Sequence, residues 1–219
     1  MAGGSYGAGT NNGIYKCDIS ESGMLTNCYD DYPFANSFSG NSSSANVTFQ
    51  NISGIDYIYF TNQPQYGWVN NTVVCQMNND GTVNAESCGL ANFPANATPT
   101  YPGYYGWWYK TQAISGSTYQ YITDWYYGGL YRCQTGNAGT YSSCSLLNSI
   151  DNFPNTQFDI ATNVMGNMYL FLPVDDGSNG LISYQLTNNG GTATISHQYT
   201  NTSFNYPMRK VMSVTLQPN

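Results

Sequence analysis

The sequence has few charged side chains and very few cations. Only 8% of its 219 residues are Asp, Glu, Lys or Arg, whereas an ordinary soluble domain has roughly 25%. Five Lys and Arg residues against twelve Asp and Glu residues give a formal net charge of −7. Nucleic acids and anionic membrane surfaces both attract clustered Lys and Arg. The composition therefore argues against a nucleic-acid partner and against binding to a membrane surface.

Long hydrophobic runs are also missing. The longest apolar run, MYLFLPV at Met168–Val174, is the length of a strand, whereas a helix that spans a bilayer needs about 20 residues. We therefore predict no membrane insertion. The first ten residues lack the basic start and apolar centre of a signal peptide, so we expect that a signal segment has been removed.

Histidine occurs once, at His197. A Ser–His–Asp arrangement therefore has only His197 as its candidate base, and a zinc site would have at most one His ligand. The sequence GGSYG at 3–7 matches G-x-S-x-G in its letters but lacks the strand and helix that give this motif its meaning. We interpret His197 as a solvated residue at a strand end. The sequence thus favours a protein that is not an enzyme and has no catalytic residue, metal or cofactor.

Six cysteines are present, and their spacing is too wide for the CxxC pairs of zinc sites. They are Cys17, Cys28, Cys75, Cys88, Cys133 and Cys144. An even number of cysteines without metal-site spacing indicates disulfides formed in an oxidising compartment. We therefore predict a secreted or cell-surface protein.

The cysteines belong to an internal repeat. Cys75 lies 58 positions after Cys17, and Cys133 lies 58 positions after Cys75. Each of the three is followed by a Gly turn and a second Cys. A fourth copy, YQLTNNGGTATI, has Tyr184 and Ile195 where the two cysteines would stand. Because both members are lost together, we predict the pairs Cys17–Cys28, Cys75–Cys88 and Cys133–Cys144.

Further markers recur at the same period, including strand-like runs that end in NISG, AISG and NVMG, and the aromatic strands YIYFT, YQYIT and YLFLP. They give four short strands per roughly 55 residues, as in propeller blades. We predict an all-β fold: one domain over 1–219 that forms a four-bladed β-propeller with about four antiparallel strands per blade. Its repeats are approximately 13–67, 68–129, 130–180 and 181–219.

The repeat is offset from the chain ends. The chain starts with the third and fourth strands of one blade and ends with a lone first strand, KVMSVTL. We predict that this C-terminal strand closes the ring by pairing with the N-terminal hairpin. The second strand of that blade is either the Gly-rich N-terminus or absent.

The cysteine pairs are expected to pin the outer, exposed edge of each blade. Opposed cysteines place the hairpin centres at Ser22-Gly23 and Ala138-Gly139, which suits two-residue turns. The segment between Cys75 and Cys88 is two residues longer, so we predict a bulge or a longer turn there.

The stretches YIYFTN and NTVVCQMNNDGTVNAESC resemble the YVTN-type, lactonase-like propeller repeats of secreted bacterial proteins. The resemblance implies a propeller and, as one alternative function, a metal-dependent lactonase-like hydrolase with a cation on the axis. The candidate ligands in that case are Asp31, Asn92, Asn152 and Asn205. We favour the alternative that each of these side chains bonds its own turn ahead of a Pro. We likewise interpret VDDGSNG at Val174–Gly180 as a turn and not as a calcium loop.

Aromatic side chains are concentrated in the inter-strand connections. The candidate ligand-binding residues are Tyr66, Trp68, Tyr104, Tyr105, Trp107, Trp125, Tyr126 and Tyr127. Exposed rings beside Asn, Gln and Asp suit sugars, because a ring contacts C–H groups while amides bond hydroxyls. The alternative is that these rings pack between blades.

We therefore predict an extracellular recognition module whose partner is a glycan or another cell-surface ligand. A second hypothesis is a self-associating surface or filament protein, a homo-oligomer formed by strand sharing between copies. The low charge and the wealth of Tyr, Asn and Gly suit either function.

Overall fold

The fold is all-β. The computed structural model describes residues 2–3, 13–33, 47–62, 71–91, 108–124, 129–149, 157–174 and 180–200. Within these ranges fifteen strands form four antiparallel sheets, and in each sheet the strands are neighbours in chain order. No helix in the described part of the chain is long and apolar enough to cross a membrane.

The first sheet has three strands and each of the others has four. The first contains β1 (Ala2–Gly3), β2 (Gly13–Ile19) and β3 (Leu25–Pro33). The second contains β4 (Val47–Ile52), β5 (Ile55–Asn62), β6 (Asn71–Gln76) and β7 (Gly89–Leu90). The third contains β8 (Trp108–Ile114), β9 (Ser117–Asp124), β10 (Gly129–Thr135) and β11 (Tyr141–Ser149). The fourth contains β12 (Asp159–Thr162), β13 (Met168–Val174), β14 (Gly180–Thr187) and β15 (Thr192–Thr200).

The Gly-rich N-terminus supplies β1, the strand beside β2 in the first sheet. Ala2 and Gly3 pair with Ile14 and Gly13, so β1 is two residues long. The expected alternatives were a strand formed by the Gly-rich N-terminus or no strand, and the first of these is present beside β2. The C-terminal strand KVMSVTL, predicted to close a ring, lies outside the described residues.

The chain forms two compact units. The described part of the first contains the first two sheets and the loop Gly136–Thr140, and its core includes Ile58, Phe60 and Val73. The described part of the second unit contains the strands of the third and fourth sheets, with a core around Leu130, Leu170 and Tyr184. The inner strands supply most of these residues because both of their faces are covered.

Glycines sit where the turns require a left-handed backbone. Ser53-Gly54 and Ser115-Gly116 are two-residue turns with positive φ at both residues, the type I′ pattern. In the hairpins that follow the first cysteines, the loops hold three residues. Gly23 and Gly139 close them at φ +81° and +78°, and each donates its N–H to the carbonyl three residues earlier. The predicted two-residue turns were wrong there, because the glycine forms a bulge after a type I turn.

All three predicted disulfides are confirmed. The Cα–Cα distances are 4.1 Å for Cys17–Cys28, 4.2 Å for Cys75–Cys88 and 4.0 Å for Cys133–Cys144. Each joins the strand next to the edge, β2, β6 or β10, to the chain at or beside the edge strand, as expected. The longer turn predicted between Cys75 and Cys88 was wrong, because Gly81 closes the same three-residue turn by donating its N–H to the Asn78 carbonyl. The extra length lies after the turn and contains a short 3-10 helix, Ala85–Ser87.

The fourth, cysteine-free copy follows the same register. Tyr184 lies directly opposite Ile195, as Cys133 lies opposite Cys144. Tyr184 is fully buried and belongs to the core of the second unit. A buried aromatic ring thus takes the position of the first cysteine of a pair.

Two buried tyrosines hydrogen-bond to hairpin loops. In the first unit, the Tyr59 hydroxyl donates to the Gly139 carbonyl at 2.7 Å. In the second unit, the Tyr121 hydroxyl donates to the Gly190 carbonyl at 3.0 Å. Tyr59 and Tyr121 occupy the same position of the aromatic-strand marker, so the repeat reproduces a tertiary contact as well as its strands.

Burial raises the pKa of these tyrosines. It raises the pKa of Tyr121 and of Tyr184 to about 12, from 10.0, and shifts the pKa of Tyr59 further in the same direction. A raised folded-state pKa stabilises the fold below the unfolded pKa, and that stabilisation is lost as the pH rises through the folded value. The window of loss therefore runs from about pH 10 to about pH 12.

Replacing Tyr121 with Phe should lower the free energy of unfolding by about 1–2 kcal/mol, because the Gly190 carbonyl loses its buried donor. Tyr119→Phe is the matched control: Tyr119 is two residues away on the same strand, and its ring, which Arg132 covers at 3.9 Å, is kept. Chemical denaturation measures both variants. Equal losses would contradict the assigned role of the Tyr121 hydroxyl.

Alkaline titration should show two classes of tyrosine. One class should ionise reversibly while the fold persists, whereas Tyr59, Tyr121 and Tyr184 should ionise only as the fold is lost. The tyrosinate absorbance, recorded together with circular dichroism, measures this. Complete ionisation of all 21 tyrosines with the circular dichroism unchanged would contradict the burial.

The disulfides should differ in their rates of reduction because they differ in exposure. Cys28 is exposed, whereas Cys133 and Cys144 are buried, with 0% and 7% of their surfaces exposed. A thiolate reductant must reach a sulfur atom, so mild reduction should open Cys17–Cys28 first and Cys133–Cys144 last. Timed alkylation and peptide mass mapping measure the order, and early opening of Cys133–Cys144 would contradict it.

Candidate functional site

An open groove lies on the second sheet, at the end where β4 turns into β5. Its volume is about 770 Å³, within the range of small-molecule sites. The residues that line it are Phe49, Gly54, Ile55, Asp56, Gln76, Met77, Asn78, Asn79 and Gly81. They come from β4, the β4–β5 turn, the start of β5, the end of β6 and the segment that follows β6. We refer to it as the Phe49 groove.

Phe49 is exposed where its strand would be expected to bury it. Along β4 the Phe49 side chain is 59% exposed, while its neighbour Gln50 is 4% exposed. Alternation on a strand places successive side chains on opposite faces, so the polar residue faces inward and the ring faces solvent. An exposed large apolar side chain beside a buried polar one is more informative than either residue in its usual place.

Hydrogen bonds hold the floor of the groove in shape. The Asn51 amide donates to the Asp56 carboxylate at 2.6 Å, and the Asn51 side-chain oxygen accepts from the Gly54 N–H at 3.1 Å. The Met77 N–H donates to the Asp56 carbonyl at 2.7 Å, which joins the two walls. The left-handed turn at Ser53-Gly54 is thereby tied to both β4 and β5.

The opposite wall belongs to the hairpin loop after β6. The Asn78 amide donates to the Thr82 hydroxyl at 2.9 Å. The side-chain hydroxyl and then the backbone N–H of Thr82 donate to the Asp80 carboxylate, and these bonds hold the pKa of Asp80 below its usual value. The loop is therefore ordered by its own side chains and stays anionic at neutral pH.

Two amides of the groove are available to a ligand. The side chains of Gln76 and Asn79 make no hydrogen bond within the described part of the chain. The nine lining residues carry one carboxylate, at Asp56, and no cation. The groove thus offers a ring face, free amide donors and acceptors, and an acidic oxygen.

The structure does not describe the ligand-binding residues predicted from the sequence. All eight of them, Tyr66, Trp68, Tyr104, Tyr105, Trp107, Trp125, Tyr126 and Tyr127, fall outside the described residues. The Phe49 groove was not predicted. In the sequence VTFQNI, Phe49 and Gln50 must lie on opposite faces of the strand. The usual arrangement buries Phe49 and exposes Gln50, so the sequence gives no clear signal for the reverse arrangement that the structure has.

Asp31, one candidate for a metal-binding set, bonds a hairpin of the second sheet. Its carboxylate accepts from the Val83 N–H at 2.8 Å. This contact was not predicted, and the prediction that the side chain also bonds its own turn stays a prediction. Asn92, Asn152 and Asn205 lie outside the described residues, as do residues 175–179 of the VDDGSNG segment.

Other chemistry-bearing residues form no cluster among the described residues. No group of three or more His, Cys, Asp and Glu residues in these ranges could hold a metal ion. His197 is exposed, as predicted, and its Nδ1 lies 2.9 Å from the Ser196 hydroxyl. The predicted position at a strand end was wrong, because His197 lies within β15 and pairs with Ser183.

Comparison of the chain with protein-family models gave no match, and comparison with curated proteins gave none either. The resemblance to YVTN-type repeats therefore stays a prediction.

Proposed function

We propose that this protein is an extracellular recognition module that binds a neutral carbohydrate in the Phe49 groove. The observation that carries the proposal is the Phe49 ring, 59% exposed on a strand whose Gln50 is buried. A fold under selection for stability alone gains nothing from that inversion, since exposing Phe forgoes the burial of apolar surface.

Sugars match the chemistry of the groove. The C–H faces of a pyranose pack on an aromatic ring, and its hydroxyls both donate and accept hydrogen bonds. The free amides of Gln76 and Asn79 can do the same, and Asp56 adds an acceptor. This division into one apolar platform and a few convergent polar groups is typical of small-molecule sites.

Charge favours a neutral saccharide over an acidic one. The lining residues carry one carboxylate, at Asp56, in a chain with a net charge of −7. A sulfated or carboxylated sugar would meet this like charge. The nearby cation, Lys16, lies beside Gly81 at the edge of the groove and already donates to the Asp80 carbonyl. A neutral sugar would bind with little dependence on salt.

The proposed setting is extracellular, and the proposed fold is a propeller. Three intramolecular disulfides are typical of extracellular proteins. The propeller proposal is supported by sheets of the same strand order and by tyrosines at equivalent positions that hydrogen-bond to hairpin loops. Each sheet would be one blade.

The test is a glycan array probed with the oxidised protein and its Phe49→Ala variant. We expect neutral sugars among the hits and a loss of affinity of about five- to tenfold in the variant, because one stacking face contributes about 1–1.5 kcal/mol. Leu146→Ala is the matched control, since Leu146 is 51% exposed on the third sheet. Unchanged binding by Phe49→Ala would contradict the site.

Trp68→Ala and Trp125→Ala separate the two candidate sites. If the sugar binds at the Phe49 groove, both variants should keep their affinity while Phe49→Ala loses it. Loss in a Trp variant with Phe49→Ala unaffected would move the site to the aromatic connections. An array without hits, obtained with folded and oxidised protein, would remove the carbohydrate proposal.

A further inference from the structure

One face of the second sheet brings a carboxylate of the Phe49 groove together with two apolar side chains. Asn51 pairs with Asp56 across β4 and β5, and the Met77 N–H donates to the Asp56 carbonyl. These three residues therefore form one row across the sheet. Phe49 lies two residues before Asn51, so alternation along β4 places its ring on the same face, one row further along. The ring, the carboxylate and the thioether all line the groove.

The Asp56 carboxylate has one oxygen left for a ligand. Its Oδ1 accepts from the Asn51 amide at 2.6 Å, and the Asn51 side-chain oxygen accepts from the Gly54 N–H at 3.1 Å. The second bond fixes which end of the Asn51 amide faces Asp56. Asp56 Oδ2 makes no hydrogen bond within the described part of the chain. Because an ionised carboxylate only accepts, a ligand group at Oδ2 has to be a donor.

Met77 places an apolar surface beside this acceptor. Its side chain packs against the core of the first unit and also lines the groove. A plain hexose has C–H faces, one of which would stack on the Phe49 ring, and otherwise presents hydroxyls. Such a sugar would set hydroxyls against the thioether and bury little apolar surface there. The groove thus has more apolar surface than a plain hexose can use.

An acetamido group matches the carboxylate and the thioether together. Its N–H donates, which suits Asp56 Oδ2, and its methyl is apolar, which suits Met77. Its carbonyl can accept from the free amides of Gln76 or Asn79. In a 2-acetamido sugar this group is joined directly to the pyranose ring, so one residue of such a sugar carries all three kinds of contact.

We propose that the Phe49 groove selects 2-acetamido sugars, such as N-acetylglucosamine, over the parent hexoses. This inference rests on the proposed carbohydrate function and names the class of sugar. The acetamido N–H would donate to Asp56 Oδ2, its methyl would pack on Met77, and the pyranose would stack on Phe49. The acetamido group is uncharged, so the preference should not depend on salt. A free amino sugar would instead use charge attraction to the carboxylate, which salt screens.

Titration of the oxidised protein with glucose, glucosamine and N-acetylglucosamine, followed by NMR, tests the preference. Wild type should bind N-acetylglucosamine about fivefold more tightly than glucose or better, the equivalent of one ordinary hydrogen bond. It should also bind N-acetylglucosamine more tightly than glucosamine at about 0.15 M salt, where surface charges are screened beyond roughly 8 Å.

Asp56→Asn separates the acetamido contact from the stacking. The Asn51 amide still donates at this position, so the new side chain keeps its oxygen there and turns its NH₂ group to the ligand. That donor opposes the acetamido N–H, whereas a sugar hydroxyl can still accept from it. The loss of affinity should therefore be larger for N-acetylglucosamine than for glucose, and the ratio of the two affinities should fall about fivefold.

Asp18→Asn is the matched control for this change. Asp18 is exposed on the first sheet, outside the groove, and its carboxylate accepts from the Asn27 amide at 3.0 Å. The control therefore removes the same charge from the same kind of Asn–Asp pair. It should keep the affinity ratio of wild type.

Nuclear Overhauser contacts to the bound sugar give an independent readout. The acetyl methyl should contact the Met77 methyl, and the pyranose C–H protons should contact the Phe49 ring. Met77→Leu identifies the Met77 signal among the seven methionines, because one methyl signal is lost while the apolar wall is kept.

Three results would overturn the proposal while sugar binding at Phe49 still holds. The first is equal affinity of wild type for glucose and N-acetylglucosamine, or an affinity ratio that Asp56→Asn leaves unchanged. The second is tighter binding of glucosamine at about 0.15 M salt. The third is an acetyl methyl that contacts other residues and not Met77. Failure of all three sugars to bind folded, oxidised protein would instead remove the carbohydrate function, and this inference with it.

Discussion

The hydrogen bond from a buried tyrosine to a hairpin carbonyl is the contact on which the order of the structure depends. Tyr59 and Tyr121 are fully buried, and a phenol removed from water needs a partner for its hydroxyl. Each finds it at a backbone carbonyl in a tight loop, Gly139 or Gly190. A glycine is required there because the ring approaches so closely: a Cβ on Gly190 would lie 2.0 Å from the Tyr121 hydroxyl. The richness in tyrosine and the glycine turns are thus two sides of one constraint.

Low charge and the disulfides follow from the same architecture. A chain whose strands are short and whose inner strands are buried on both faces has little room for charged side chains, so its polarity comes from Asn, Ser and Thr in turns. Short edge strands such as β7, two residues long, hold few ladder hydrogen bonds. A covalent link beside such an edge restrains it in the unfolded chain as well as in the fold, and is worth about 3 kcal/mol on the chain-entropy account.

The repeat was predictable because it rests on local chemistry. The joint loss of two cysteines at Tyr184 and Ile195 predicts their pairing, and the register confirms it. Glycines with a fixed spacing from the cysteines mark the turns. Loop length was less accessible: a Gly bulge and a two-residue turn both need one Gly, so Gly23 alone does not distinguish them. The reach of Asp31 to Val83, 52 residues away, depends on packing between sheets, which no local pattern encodes.

The site was hidden for a similar reason. Which face of β4 turns inward is decided by the packing of the whole sheet, and the letters VTFQNI permit both orientations. Sequence reasoning favoured the Trp-rich connections because aromatic density is visible there, whereas a single Phe at a strand position is ordinarily assigned to the core. The exposure of Phe49 depends on tertiary packing, so the site inferred from it could not be predicted from the sequence.

The most direct test is a crystal structure of the oxidised protein with a neutral oligosaccharide bound. We predict a pyranose ring stacked on Phe49, with its hydroxyls bonded to the amides of Gln76 and Asn79. A sugar bound elsewhere, with the Phe49 ring bare, would contradict the account.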